Sequence, residues 1–237
     1  MHNDFIYSKW NKSLYNEYIE YLISIGDKKL SSFNKKIINT KQEIIGIKIP
    51  VLRDIAKKIS KGNVDSFLNL VGDTYFEEIL VSGFVIGSIK DKDIFLEYFN
   101  SFVKNVDNWA TCDMCVSSFK IMKKIDFFDF AKTLAFNDFE FISRVGIVIM
   151  LDYYVDSNHI EDIIEVVKSI KSSDYYVNMA LSWLVSVLFI KFRVITLDLL
   201  KQRILPVFVQ NKAIQKIRDS YRVSKEDKDM LLLYKYN

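Results

Sequence analysis

An all-α protein is expected, and three observations carry that expectation. The chain has only 7 glycines and 2 prolines in 237 residues, 50% of it is hydrophobic, and its apolar residues recur at helical spacing. An all-β chain of this length would need many more turn residues. The 18 phenylalanines and 13 tyrosines supply a sizeable core, and a net charge of only +3 argues against disorder.

Each element has its own punctuation. A first amphipathic helix is predicted over 4–23, stopping near Gly26, and a short second one over 29–38. Pro50 stands where the first turn of a new helix accepts it, followed by Val51, Leu52, Ile55, Ala56 and Ile59 at helical spacing, with Gly62 as the stop. Further helices are predicted over 64–71, 75–89, 91–104, 108–124, 127–135, 139–154, 159–170, 174–192, 195–203, 206–219 and 224–235. With short connections and no strand signal, these imply stacked antiparallel pairs. Long helices begin near Asn108, Phe139 and Asp174, each preceded by a shorter one, and that rhythm is close to a two-helix HEAT-type repeat. The expectation is an α-solenoid of HEAT-like pairs, one domain over 1–237, whose inner helices line a concave basic groove.

Composition bounds the setting. Cys112 and Cys115 are the only cysteines, too few for a disulfide framework, so a reducing compartment is expected. The opening residues MHNDFIYSKW carry charge early and lack the apolar run of a secretion signal. The most apolar stretch, 175–192, is interrupted by Asn178, Ser182, Ser186 and Lys191, so it reads as a buried helix and not a membrane span. A cytoplasmic monomer is expected. The charge is uneven: 27–61 holds 10 basic and 3 acidic residues, 191–237 holds 11 and 5, and 62–190 holds 10 and 19. Two readings stand: the basic ends grip a polyanion, or charged faces simply keep a helical protein dissolved.

Three helices carry candidate chemistry. On 108–124, Cys112, Cys115, Val116, Phe119 and Met122 form an apolar arc, with Trp109, Asp113, Ser117, Lys120 and Lys124 beside it. Trp109 and Asp113 are four apart, so they stack on one face; a carboxylate beside an indole suits a cationic substrate, or is a surface acid next to a packing ring. Arg144 is the only basic residue of a strongly apolar helix and must meet a phosphate or a carboxylate, most simply Glu140 one turn earlier. Trp183 lies about a quarter-turn from the stripe of Asn178, Ser182 and Ser186, which makes it a core residue by periodicity. Register points the other way: a repeat stack sets equivalent helices side by side, so Trp109, Asp113, Arg144 and Trp183 would converge on one concave patch. Cys112 and Cys115 have metal-ligand spacing, but with only His2 and His159 for partners and a place on the core arc, neither zinc nor redox chemistry is expected. No phosphate-cradling glycine loop, nucleophile elbow or isolated lysine in an apolar setting is present.

Taken together, Gly46, Pro50, Leu52, Arg53, Ala56 and Lys57 resemble the G-x-x-x-P-x-L-R-x-x-A-K signature of the DNA alkylation repair (AlkD-like) family. Trp109 and Asp113 resemble its W-x-x-x-D catalytic pair, Arg144 its phosphate-side arginine and Trp183 its second tryptophan. The run from Asn211 to Arg218 resembles its basic C-terminal segment. The chain departs from the family at Met179 and Ser186, positions that are often basic there. The resemblance implies a glycosylase that removes N3- or N7-alkylpurines from duplex DNA by hydrolysing the N-glycosidic bond. Asp113, Trp109 and Trp183 would be catalytic, and Arg144, Arg53, Lys57, Lys120, Lys212, Lys216, Arg218 and Arg222 would bind DNA. It implies no metal, no organic cofactor and no membrane, with the protein on the nucleoid when bound. Two alternatives stand beside it: a non-catalytic relative that binds bent or branched DNA, and a HEAT-type protein-interaction scaffold.

Overall fold

The protein is all-helical. A computed structural model describes residues 4–237; His2, weighed above as a metal ligand, lies outside the described residues. Among the described residues there are 14 α-helices and no strand, with one isolated bridge between Glu43 and Tyr75. The chain divides into two compact units, one ending at Asp126 and the other starting at Phe127. No helix of the described residues is long and apolar enough to cross a membrane.

The first unit holds α1 (Lys12–Ser24), α2 (Lys28–Ile37), α3 (Ile49–Ile59), α4 (Val64–Leu68), α5 (Phe76–Ile86), α6 (Lys92–Phe102) and α7 (Trp109–Val116). Helix α1 starts eight residues later than the hydrophobic pattern suggested, because Asn11 caps it by accepting the Leu14 N–H at 3.0 Å. Residues 4–11 are not helical, and they bury Phe5 and Trp10 against Tyr18 and Phe67. Helix α5 is buried along its whole length, and α3, α6 and α7 pack on it.

Within that buried helix stand two carboxylates. Glu77 accepts the backbone N–H groups of Ile45, Gly46 and Ile47 at 2.9, 2.7 and 3.2 Å. Glu78 takes the Tyr15 hydroxyl and the Gly72 and Tyr75 N–H groups. Burial first, and then the Glu78 charge, hold the Tyr15 hydroxyl well above the ordinary phenol range. Gly46 has φ +91°, and a Cβ there would stand 2.3 Å from the Asp27 carbonyl oxygen. The glycine of the sequence signature is therefore a structural requirement for the loop that Glu77 ties down.

The second unit holds α8 (Phe128–Ala135), α9 (Glu140–Tyr153), α10 (Ile160–Ser169), α11 (Tyr175–Lys191), α12 (Arg193–Gln202), α13 (Val207–Asp219) and α14 (Lys225–Leu231). Helix α11 is its axis, with α9, α10, α12 and α13 against it. The polar stripe on α11 is buried and Trp183 is half-exposed, the reverse of what periodicity suggested. The reason is local hydrogen bonding. Ser182 donates to the Asn178 carbonyl at 2.7 Å, Ser186 to the Trp183 carbonyl at 2.7 Å, and the Asn178 amide to the Ser172 carbonyl at 2.9 Å. Hydroxyls satisfied in this way can be buried against a neighbouring helix.

The helix predicted over 108–124 is broken. Helix α7 ends at Val116 and a 3-10 turn covers Lys120–Lys123. Ser117 and Ser118 donate to the Met114 and Cys115 carbonyls at 2.9 and 2.6 Å, competing with the helical ladder, and Phe119 leaves the helical region at φ −77°, ψ 65°. The apolar arc survives the break: Cys112, Cys115, Val116, Phe119 and Met122 are all buried.

Candidate functional site

Helix α7 is set in place before its site residues are reached. Its N-cap, the buried Asn108, accepts the Thr111 N–H at 2.8 Å and donates to Thr111 Oγ1 and Asp107 Oδ1, each at 2.9 Å. Asp107 in turn accepts from the Thr40 hydroxyl and the Lys41 N–H at 2.8 and 2.7 Å. The loop after α2 is thereby locked to the start of α7. Trp109 completes the tie: its indole N–H donates to the Ile37 carbonyl at 3.1 Å, at the C-terminal end of α2. That bond uses the indole's only donor and fixes the ring's orientation, while the side chain stays half-exposed.

Asp113 follows one turn later on the same face and is also half-buried. Arg53, from α3, reaches the end of α7. It donates to the Met114 carbonyl at 3.2 Å and approaches the Ser117 hydroxyl at 3.5 Å, with its guanidinium 4.2 Å from the centre of the Phe84 ring. Helix α7 thus carries an indole and a carboxylate, and a guanidinium from α3 bonds to its C-terminal end. Lys57 and Lys120 line a cleft with Arg53. The serine break after α7 matters here, because it turns Lys120 and Lys124 off the helix and into that cleft.

In the second unit, Arg144 is buried at 5% exposure and donates to the Tyr176 carbonyl at 2.8 Å. Glu140 accepts the Tyr176 N–H, also at 2.8 Å. Arginine and glutamate thus both hold the first turn of α11. Among the C-terminal cations, Lys212 donates to Gln215 at 3.1 Å, and Arg218 to the Lys228 carbonyl at 3.0 Å, where it braces α13 against α14. Lys216 is half-buried and Arg222 is exposed. Met179 is half-exposed and Ser186 is buried.

Cys112 and Cys115 are free thiols with no solvent exposure, and burial pushes the Cys115 thiol well above its ordinary value. Among the described residues no three histidine, cysteine, aspartate or glutamate side chains gather as a metal site would require. Sequence reasoning missed Glu77, Glu78, Phe84 and Lys90. For the two glutamates the signal was there: adjacent acids inside an otherwise apolar helix.

No curated protein and no solved structure matches the chain. A family model described as DNA alkylation repair enzyme matches residues 18–188, a span that takes in Gly46, Trp109, Asp113, Arg144 and Trp183. With well over half of its length matched, and with the indole and carboxylate set one turn apart on a braced helix, the chain belongs to the DNA alkylation repair enzyme family.

Proposed function

We propose that the protein is a DNA glycosylase for purines made cationic by alkylation at N3 or N7. The observation that carries this is the face of α7: an orientated, half-exposed indole with a carboxylate one turn away. A cationic base is already a good leaving group, so little proton donation is needed. Asp113 stabilises the oxocarbenium-like sugar as the glycosidic bond breaks and positions the attacking water. Trp109 and Trp183 pack against the deoxyribose and exclude bulk water. Arg144 serves the phosphate, with its backbone bond to Tyr176 holding the guanidinium in place. Arg53, Lys57, Lys120, Lys212, Lys216, Arg218 and Arg222 hold the duplex backbone. No metal or organic cofactor enters this chemistry.

A HEAT-like organisation is part of the proposal. Every second helix packs on the next, α3 on α5 on α7 in the first unit and α9 on α11 on α13 in the second, as in a stack of helix pairs. Residues 1–237 then form one repeat domain that works as a monomer on the nucleoid, its basic groove against DNA.

The test is release of 7-methylguanine from methylated duplex DNA. Wild type releases it, and Asp113→Asn lowers the rate by at least about 100-fold, the scale of lost electrostatic stabilisation in an active site, while binding duplex normally. Equal excision by the variant removes Asp113 from the chemistry. One observation favours a second reading. Ser186 is buried with its hydroxyl on the Trp183 carbonyl, so that position offers no cation to DNA. A binder of bent or branched DNA without excision would show duplex affinity and no 7-methylguanine release; a protein-interaction scaffold would show neither.

A further inference from the structure

A cleft of about 640 Å³ opens in the first unit between the C-terminal ends of α3 and α5 and the 3-10 turn after α7. Its volume is within the range of small-molecule sites. Its rim carries five cations, Arg53, Lys57, Lys90, Lys120 and Lys124, and no carboxylate lines it. Among the described residues none of the four lysines is in an ion pair, although Lys58 next door pairs with Asp54 at 3.3 Å. Its floor is apolar: Phe84, Ile89, Ile121 and Ile125 lie there with Ala56. The Arg53 guanidinium sits 4.2 Å from the Phe84 ring centre, an arginine–aromatic platform of the kind on which nucleobases stack.

Helix C-termini alone would repel an anion, each counting for roughly half a negative charge. The cleft's own chemistry overrides that. Ser60, Ser88 and Ser118 turn their hydroxyls onto the Ala56, Val85 and Cys115 carbonyls at 2.7, 2.6 and 2.6 Å, covering part of the exposed negative ends. Five full positive charges then face about one negative. A ligand here must bring both a strong anion and a flat apolar body. In a chain of a DNA repair family, the molecule with that pairing is a nucleotide.

We infer that this cleft binds a single nucleotide unit, its base on the floor of Phe84 and the isoleucines and its phosphate among Lys57, Lys90, Lys120 and Lys124. The nucleotide is either free in solution or one member of a DNA strand. The assignment is independent of base excision, because Asp113 does not line the cleft.

Isothermal titration of the full chain with 2′-deoxyadenosine 5′-monophosphate tests it, with inorganic phosphate and deoxyadenosine as comparators. The mononucleotide should bind at least tenfold tighter than either comparator. Lys57→Glu with Lys120→Glu should weaken it at least tenfold with unchanged circular dichroism, and Lys90→Glu with Lys124→Glu should do the same. Asp113→Asn should bind it as wild type does, even in a preparation without glycosylase activity. A duplex containing 2-aminopurine identifies the source. A protein-induced fluorescence rise that either lysine pair abolishes assigns the cleft to a strand nucleotide; no rise, with mononucleotide binding intact, assigns it to free nucleotides. Mononucleotide binding no tighter than phosphate, or unchanged in both lysine pairs, overturns the inference whatever the duplex does.

Discussion

Glu77 shows how much one side chain can hold. Its carboxylate has no solvent exposure and takes three backbone N–H groups of the 45–47 loop from the first turn of α5, where a helix N-terminus also favours negative charge. Glu77→Gln keeps the size and removes the charge. Its amide presents donors where donors already point, so stability should fall by about 2 kcal/mol, read as a lower urea midpoint. Trp109 and Arg144 follow the same logic from the functional side. Each has a backbone partner that fixes its pose, Ile37 for the indole and Tyr176 for the guanidinium. On the proposed reading, groups held in this way are ready for a substrate without rearrangement.

Among the helices, close approach is set by a few small residues. Gly146 lies where α9 meets α8, and a Cβ there would fall 2.3 Å from the Ala135 nitrogen and 2.5 Å from the Ala131 oxygen, both backbone atoms that cannot swing aside. Gly146→Ala must push the helices apart and should cost about 2 kcal/mol, seen as a drop in melting temperature, although alanine is the better helix former. A second inter-helix tie is electrostatic. Arg193 at the start of α12 grips Asp227 of α14 through two hydrogen bonds, one of them 2.7 Å, and these hold the Asp227 carboxyl below the usual carboxylate range. A carboxylate with a depressed pKa stabilises the fold above its unfolded value of about 3.9 and loses that stabilisation as pH falls through its folded value. The melting-temperature gap between wild type and Asp227→Asn should therefore be open at pH 6 and close as pH falls below the unfolded carboxylate value of about 3.9 and through the folded one. The guanidinium is exposed, so the gap should be small.

For the molecule as a whole, the proposed function turns on charge placement. A net charge of +3 is modest, but the basic residues cluster at both ends of the sequence. Duplex affinity should fall linearly with the logarithm of salt concentration, and Lys57→Glu with Lys120→Glu should flatten that slope by about 2, followed by fluorescence anisotropy of a labelled duplex. No measurable duplex affinity even at roughly 50 mM salt would point to a protein-interaction scaffold.

What the sequence determined by itself was local. Helical periodicity, scarce glycine and proline, and punctuation such as Pro50 at a helix start and Gly62 at its stop marked an all-helical chain, because each of these signals acts within a few residues of itself. The spacing of Trp109 and Asp113 on one helix face was legible for the same reason. What only the tertiary structure decided involves partners distant in the chain. The end of α7 at Ser117, the half-exposed Trp183 beside buried serines, the burial of Glu77 under a loop some thirty residues earlier, and the gathering of Arg53, Lys90 and Lys124 into one cleft all depend on which helices pack together. Periodicity tells which face of a helix is apolar; it does not tell which neighbour covers that face or how closely, and the free energy of burial is settled there.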